Sequence, residues 1–418
     1  MQDRLYGEAE TKIFHEMTNF STAERLPAID LARGIALLGV ALVNVHAFAA
    51  VWAGNYGLDL ATGVADVVAE YVVAIGFSHR SYPVLAFLFG AGLAMQWNHL
   101  PDGNRYPRDL RPRLWALMVI GVAHGLLLWP GEVLTAYAIV GLIAVNLIDA
   151  KDATQRAAAT ISYAIALAIY VGVGAAMLLS PEPATAPEHG FPSFAQSSFA
   201  AALLLHPLEF LTRGVVQVFA PDVWGALWLG MWAGRSGFLT RYLSAPNRYV
   251  AVMGVGALLF VGGSALEIFA ATRGGWNAVT VGKTGIGWAA IAYVPTSLGA
   301  VWFWLTISAI WGRFAHGNRS ITPLILASGR APLTQFIGQS IVFALLFNKS
   351  WVGLHGELGR GAYSLIAVAT YLLLCAFIRA WLASGHRYGP MEILWRWLTQ
   401  RFSPKRSAEP VQKRSLSL

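Results

Sequence analysis

"AIDLARGIALLGVALVNVHAF", residues 28–48, is an apolar run long enough to cross a bilayer as one helix, yet it holds Asp30, Arg33, Asn44 and His46. A spanning helix needs about 20 mostly apolar residues, so this stretch fixes the environment of the whole chain. The composition agrees. Of 418 residues, 56% are hydrophobic and 12% charged, with a mean hydropathy of +0.53. Soluble domains are nearly half apolar and about a quarter charged, so this is a membrane protein.

Working outward, comparable runs lie near 81–98, 113–129, 131–149, 157–180, 214–234, 248–271, 286–311, 323–347 and 362–384. Together with the first they predict an all-α polytopic transmembrane helix bundle of about ten spans. "GVADVVAEYVVAIGF" (63–77) sets Asp66 and Glu70 against Val, Ala and Tyr and reads as an amphipathic helix lying at the interface. The expected organisation is a polar cytoplasmic segment 1–27 without a signal peptide, then a bundle 28–399. Within the bundle an N-terminal half 28–180 and a C-terminal half 214–399 flank an external loop 181–213, and a basic disordered tail 400–418 follows.

Lys and Arg gather in "NRYPRDLRPR" (104–113), at Lys151 and Arg156, in 234–248, at Arg313 and Arg319, and in the tail. These fall on one face if both termini are cytoplasmic in a multi-pass cell (inner) membrane protein. The net charge of +8 is thus explained by lipid bilayer anchoring, and no nucleic acid partner is expected. The single Cys375, within an apolar run, excludes an internal disulfide and a cysteine metal site. No metal is expected, and a homo-oligomer is compatible with the sequence.

An ionisable group inside a span costs at least about 2.5–3.5 kcal/mol on insertion scales, so each one wants a partner or a task. Arg33 and Asn44 are eleven residues apart, about 20° of drift and roughly 16 Å of rise, which places them on one helical stripe. Asp30 can hold Arg33 as an i,i+3 pair, while His46 points to another face. The same step separates Arg113 from His124, and "WPGE" then turns the chain and puts Glu132 in the first turn of the next helix. A carboxylate there is stabilised by the helix dipole or tunes His124. His79 and Arg80 stand at the outer mouth of the second span. Gln335 and Gln339 share a face, with Arg330 at the cytoplasmic end of what reads as the same helix. Arg33, Arg330 and Arg379 could hold phosphate at the inner face, although each could equally anchor its helix. Phosphate-loop, HExxH and GxSxG motifs are absent, which argues against ATP-driven work, zinc hydrolysis and elbow-serine chemistry.

"RLPAIDLARGIALLGVALVN" (25–44), "FLFGAGLAMQ" (87–96), "GVAHGLLLWPGEVLTAYAIVGL" (121–142), "GALWLGMWAGRSGFL" (225–239), "SGRAPLTQFIGQSIV" (328–342) and "RYGPMEILWRWLT" (387–399) resemble the blocks of the YeiB-like membrane-protein family. The first-helix pattern is similar to that of heparan-alpha-glucosaminide N-acetyltransferase and, more distantly, of membrane sugar acyltransferases. The resemblance implies an acyltransferase taking acyl-CoA (acetyl-CoA) as co-substrate from the cytoplasm to an external small-molecule or glycan acceptor. Carried over, Arg33 is the first-helix arginine, and Asn44 stands where the sugar enzymes have histidine. An amide cannot act as general base. The base is then sought at His124, next at His79 and last at His46, since unperturbed imidazole titrates near pH 6.5.

On this reading Arg33, Arg330, Arg113 and Asp30 form the CoA-binding group. His124, Glu132, Asn44, His79 and His46 supply the catalytic candidates, and Gln335, Gln339, Tyr137 and Arg80 the substrate-binding ones. The competing expectation is a multi-helix transporter for a small polar or anionic solute, against which stands the lack of an inverted repeat or paired Gly/Pro-broken helices.

Overall fold

A computed structural model describes residues 26–49, 63–100, 106, 110–179, 192–196, 198–273, 283–314 and 321–403. The polar segment 1–25, most of the tail, and parts of the loops expected at 104–113, 181–213 and 272–285 lie outside the described residues. Among those described, fifteen α-helices occur and no strand. They are α1 (Pro27–Phe48), α2 (Val64–Gly76), α3 (Ser81–Asn98), α4 (Arg111–Leu127), α5 (Leu134–Ala144), α6 (Asp152–Leu179), α7 (Phe199–Glu209), α8 (Pro221–Arg235), α9 (Phe238–Ser244), α10 (Val250–Arg273), α11 (Lys283–Phe314), α12 (Thr322–Arg330), α13 (Pro332–Phe347), α14 (Arg360–Ala383) and α15 (Pro390–Phe402).

Seven helical stretches among the described residues are long and apolar enough to cross a membrane, or eight if the bent pair α12–α13 counts as one. The expected ten therefore do not all appear as full spans. α4 stops at Leu127 and α5 begins only at Leu134, leaving each short, and the 214–234 run is divided by the turn before Pro221. Residues 199–209, expected in an external loop, are helical and continue through an irregular turn to Phe219.

α1 lies at the centre, with most of its length buried. α3 packs closest against α8, because a Cβ at Gly230 or Gly234 would run into the Phe87 or Ala91 carbonyl of α3. A Gly-x-x-x-Gly pair lets two backbones meet this way, and van der Waals contact replaces the hydrophobic drive that lipid removes. α12 reaches α1 by the same device, for a Cβ at Gly329 would overlap the Asp30 carbonyl.

Two expectations about helices are corrected by the packing. α12 and α13 meet at a 97° bend, so Arg330 is not on the helix of Gln335 and Gln339. The cause is local: Pro332 has no N–H to continue the ladder and drives Ala331 out of the helical region, to φ −128° and ψ 61°. The freed N-terminus of α13 is capped from a distance by Glu392 of α15, which accepts from Leu333 N at 2.7 Å and Thr334 Oγ1 at 2.6 Å. Burial pushes the Glu392 carboxyl above its ordinary value.

α2 is the second. Its acidic face turns inward and its valines outward, with Val64, Val68 and Val72 exposed. Asp66 accepts from Gly361 N at 2.8 Å, and Glu70 pairs with the buried Arg360 at 3.1 Å. The helix is amphipathic as expected, but its charges are paired within the protein, and α2 and α3 together, Val64–Asn98, are long and apolar enough to cross a membrane.

Candidate functional site

One end of the site begins with Asp30 in the first turn of α1. Its carboxylate lies 3.4 Å from Arg33 Nη1 and 3.9 Å from Arg330 Nε. One acid thus orients two guanidinium groups on different helices, and the Arg330 side chain remains 49% exposed. The expected i,i+3 pair is present. Arg113 differs: it donates to Gln96 Oε1 and lies 5.8 Å from the Trp395 ring, whose Nε1 donates to the Arg113 carbonyl. Arg113 fastens α15 to α4. Arg379 is on the exposed side of α14.

Three turns beyond Arg33 on α1, Asn44 is buried and its Oδ1 accepts from Tyr82 Oη of α3 at 2.5 Å. With Oδ1 taken, Nδ2 is the part of the amide left to donate. Tyr137 of α5 donates to the Tyr82 carbonyl at 2.8 Å, so α1, α3 and α5 are linked through two tyrosines.

Tyr137 belongs to the helix that Glu132 starts. Glu132 lies two residues before α5 rather than in its first turn, and its carboxylate accepts from Leu134 N at 2.6 Å and Thr135 N at 3.0 Å. The helix-dipole explanation of Glu132 is therefore met in full, yet the same carboxylate stands 3.9 Å from His124 Nδ1. His124 is buried, and neither of its ring nitrogens has a hydrogen-bond partner among the described residues. Buried polar groups are hydrogen-bonded in the large majority of cases, so two unpartnered nitrogens on one imidazole mark a place made for something else.

The His124 ring lies 5.2 Å from Phe336 of α13. One turn further, Gln339 Nε2 donates to the Leu37 carbonyl of α1 at 3.2 Å while its Oε1 has no partner. Gln335 is occupied, donating to the Tyr371 carbonyl of α14 at 3.3 Å. α13 thus touches both the helix of His124 and that of Asn44, while Tyr82 and Tyr137 tie the helix of Asn44 to α3 and α5.

The remaining histidines stand apart. His46 Nδ1 is 2.7 Å from the Leu42 carbonyl and Nε2 is 3.4 Å from Ser364 Oγ, on a face directed at α14. His79, at a positive φ of 59°, is exposed and its ring lies tilted against Tyr293 with centroids 4.8 Å apart. Arg80 is spent on structure: it is buried and bonds Glu267 at 2.7 Å and the Ala74 and Ser78 carbonyls. Outside the spans, His355 is 2.8 Å from the Phe48 carbonyl, and burial lowers its pKa. Among the described residues no group of three metal-ligating side chains occurs.

Sequence reasoning missed Tyr82, Glu267, Arg360 and Asp222. The last three could have been flagged, since each is an ionisable residue within or at the edge of an apolar run. Tyr82 carries no such signal.

A family profile described as "Protein of unknown function (DUF418)" matches residues 233–402. The chain is 24% identical to YxaH of Bacillus subtilis (strain 168), covering 94% of this chain and 98% of that one. It is 27% identical to YeiB of Escherichia coli (strain K12), covering 90% and 97%. A 39.9 kDa protein in the amylase 3' region of Bacillus acidopullulyticus is 31% identical over 38% of this chain and 43% of its own length.

Proposed function

We infer that this chain, which belongs to the YeiB-like family of proteins of unknown function (DUF418), is a membrane-embedded acyltransferase. It moves an acyl group, acetyl in the simplest case, from cytoplasmic acyl-CoA to a hydroxyl or amine acceptor on the other side. The observation that carries this reading is His124, an imidazole buried beside Glu132 with both nitrogens unpartnered.

Arg33 and Arg330, oriented by Asp30, receive the CoA phosphates, where guanidinium forks match phosphate oxygens. The thioester then lies along α1 towards Asn44. His124 takes the proton from the acceptor, whose oxygen or nitrogen attacks the thioester carbonyl. Asn44 Nδ2 donates to the oxygen on which charge develops. Collapse forms the ester or amide bond, breaks the carbon–sulfur bond, and expels the CoA thiolate, which recovers the proton from the His124 imidazolium. The Glu132 carboxylate, 3.9 Å from His124 Nδ1, lies beside the ring that takes the proton. Arg113 and Arg80 have no part in this scheme, being held by Gln96 and Glu267.

The broken helix α12–α13 favours a second reading, since transporters place substrates at such breaks. Against it, the N-terminus exposed by the break is filled by Glu392. The test is binding of acetyl-CoA to the purified protein in nanodiscs together with release of free thiol on adding amine and alcohol acceptors. Acyl transfer predicts both. Absence of acetyl-CoA binding combined with solute flux in liposomes would establish the transporter instead.

A further inference from the structure

A second group of polar side chains lies away from His124, among α6, α8 and α11. Asp222, at the start of α8, is fully buried. Its Oδ2 accepts from Tyr293 Oη of α11 at 3.1 Å, while Oδ1 has no hydrogen-bond partner among the described residues. The helix start favours a carboxylate there and turns the Asp222 and Val223 N–H groups towards it, but neither makes a well-aligned hydrogen bond to Oδ1 and no cation meets the charge among the described residues. No ion pair to Asp222 is found among the described residues.

Tyrosines surround it. The Tyr163 ring of α6 lies flat on Gly225, one turn beyond Asp222, where a Cβ would strike the ring. Tyr163 Oη is also buried and unpartnered. Tyr170 stacks on Tyr293 with ring centroids 4.1 Å apart. Tyr137, whose hydroxyl donates to the Tyr82 backbone carbonyl, connects this region to α3, the helix whose Tyr82 hydroxyl meets Asn44.

We propose that Asp222 and Tyr163 form the binding site for a protonated primary amine, which is the acceptor class. A lone buried carboxylate in a membrane protein is costly until a cation meets it. An ammonium brings that charge and carries three donors, which suit Asp222 Oδ1 and Tyr163 Oη. The faces of the stacked tyrosines favour a cation over a neutral group as well. An alcohol supplies the hydrogen bond but leaves the charge uncompensated. The use made of the bound amine rests on the acyltransferase reading; the binding itself does not. After binding, one ammonium proton leaves through His124 to solvent, the neutral nitrogen attacks the thioester, and the second proton it sheds as the amide forms goes by way of His124 to the departing CoA thiolate.

The experiment measures binding by calorimetry to the full chain in nanodiscs without acyl-CoA. The probes are 2-aminocyclohexanol and cyclohexane-1,2-diol, equal in shape and different in charge. The wild type is expected to bind the amine at least tenfold more tightly than the diol. D222N removes that preference and Y163F weakens it several-fold, while acetyl-CoA binding is unchanged in both. Equal binding of the two probes to the wild type overturns the proposal without needing any variant to fold. Amine preference without acetyl-CoA binding would keep this site and sink the acyltransferase reading, so the two failures are distinguishable.

Discussion

His124→Phe separates a catalytic imidazole from one that merely fills space. Both ring nitrogens are buried without partners, and the ring packs beside Phe336 at 5.2 Å. Leaving a buried polar atom unsatisfied costs about 1–3 kcal/mol. Phenylalanine removes that cost but has a larger ring, whose overpacking cost is of similar size, so the variant should stay within about 1–3 kcal/mol of the wild type. Catalysis should fall. A positioned general base is worth roughly 10²–10⁴ in rate, or about 3–5 kcal/mol of barrier. The assay is free-thiol release from acetyl-CoA at saturating acceptor, read beside thermal unfolding in the same nanodiscs. Thiol release within a few-fold of the wild type would refute the assignment of His124 as base.

Gly329→Ala forces a Cβ into the Asp30 carbonyl; it should cost about 1–3 kcal/mol and, by displacing the acid between Arg33 and Arg330, raise the acetyl-CoA KM with little change in kcat. Glu70→Gln deprives the buried Arg360 of its carboxylate and should destabilise by about 3–5 kcal/mol, most of it regained in the double variant E70L/R360M, as unfolding midpoints would reveal. Glu392 has its carboxyl pKa raised by burial from 4.5. The folded state thus holds its proton to higher pH than the unfolded chain, so stability should fall as pH rises from about 4.5 through the raised value, and Glu392→Gln should flatten that fall in pH-dependent thermal scans.

Much of the bundle was legible because lipid imposes one strict rule, that backbone and charge be satisfied inside. Asp30–Arg33 followed from i,i+3 spacing, and the division between Asn44 and His46 followed from helical angle. What failed to show in the sequence were effects of contact between distant segments. The inward turn of the α2 acids depends on Arg360, some 290 residues away. The commitment of Arg80 depends on Glu267, and that of Arg113 on Gln96 and Trp395. Pro332 was visible, but an X-Pro step inside an apolar run signals a kink without fixing its size, here 97°. Of the histidines, His124 stood out by its acidic neighbour across the turn, and the two unpartnered nitrogens could be known only from packing.

The central claim is that an acyl group crosses from one face of the bilayer to an acceptor at the other. Proteoliposomes of defined orientation, with radiolabelled acetyl-CoA on one side and a primary amine trapped on the other, test it most directly. The account predicts labelled amide in the compartment opposite the CoA, and only when the CoA meets the face carrying Arg33 and Arg330. Product formed equally well with both reactants on one side, or amine crossing the membrane without thiol release, would contradict it.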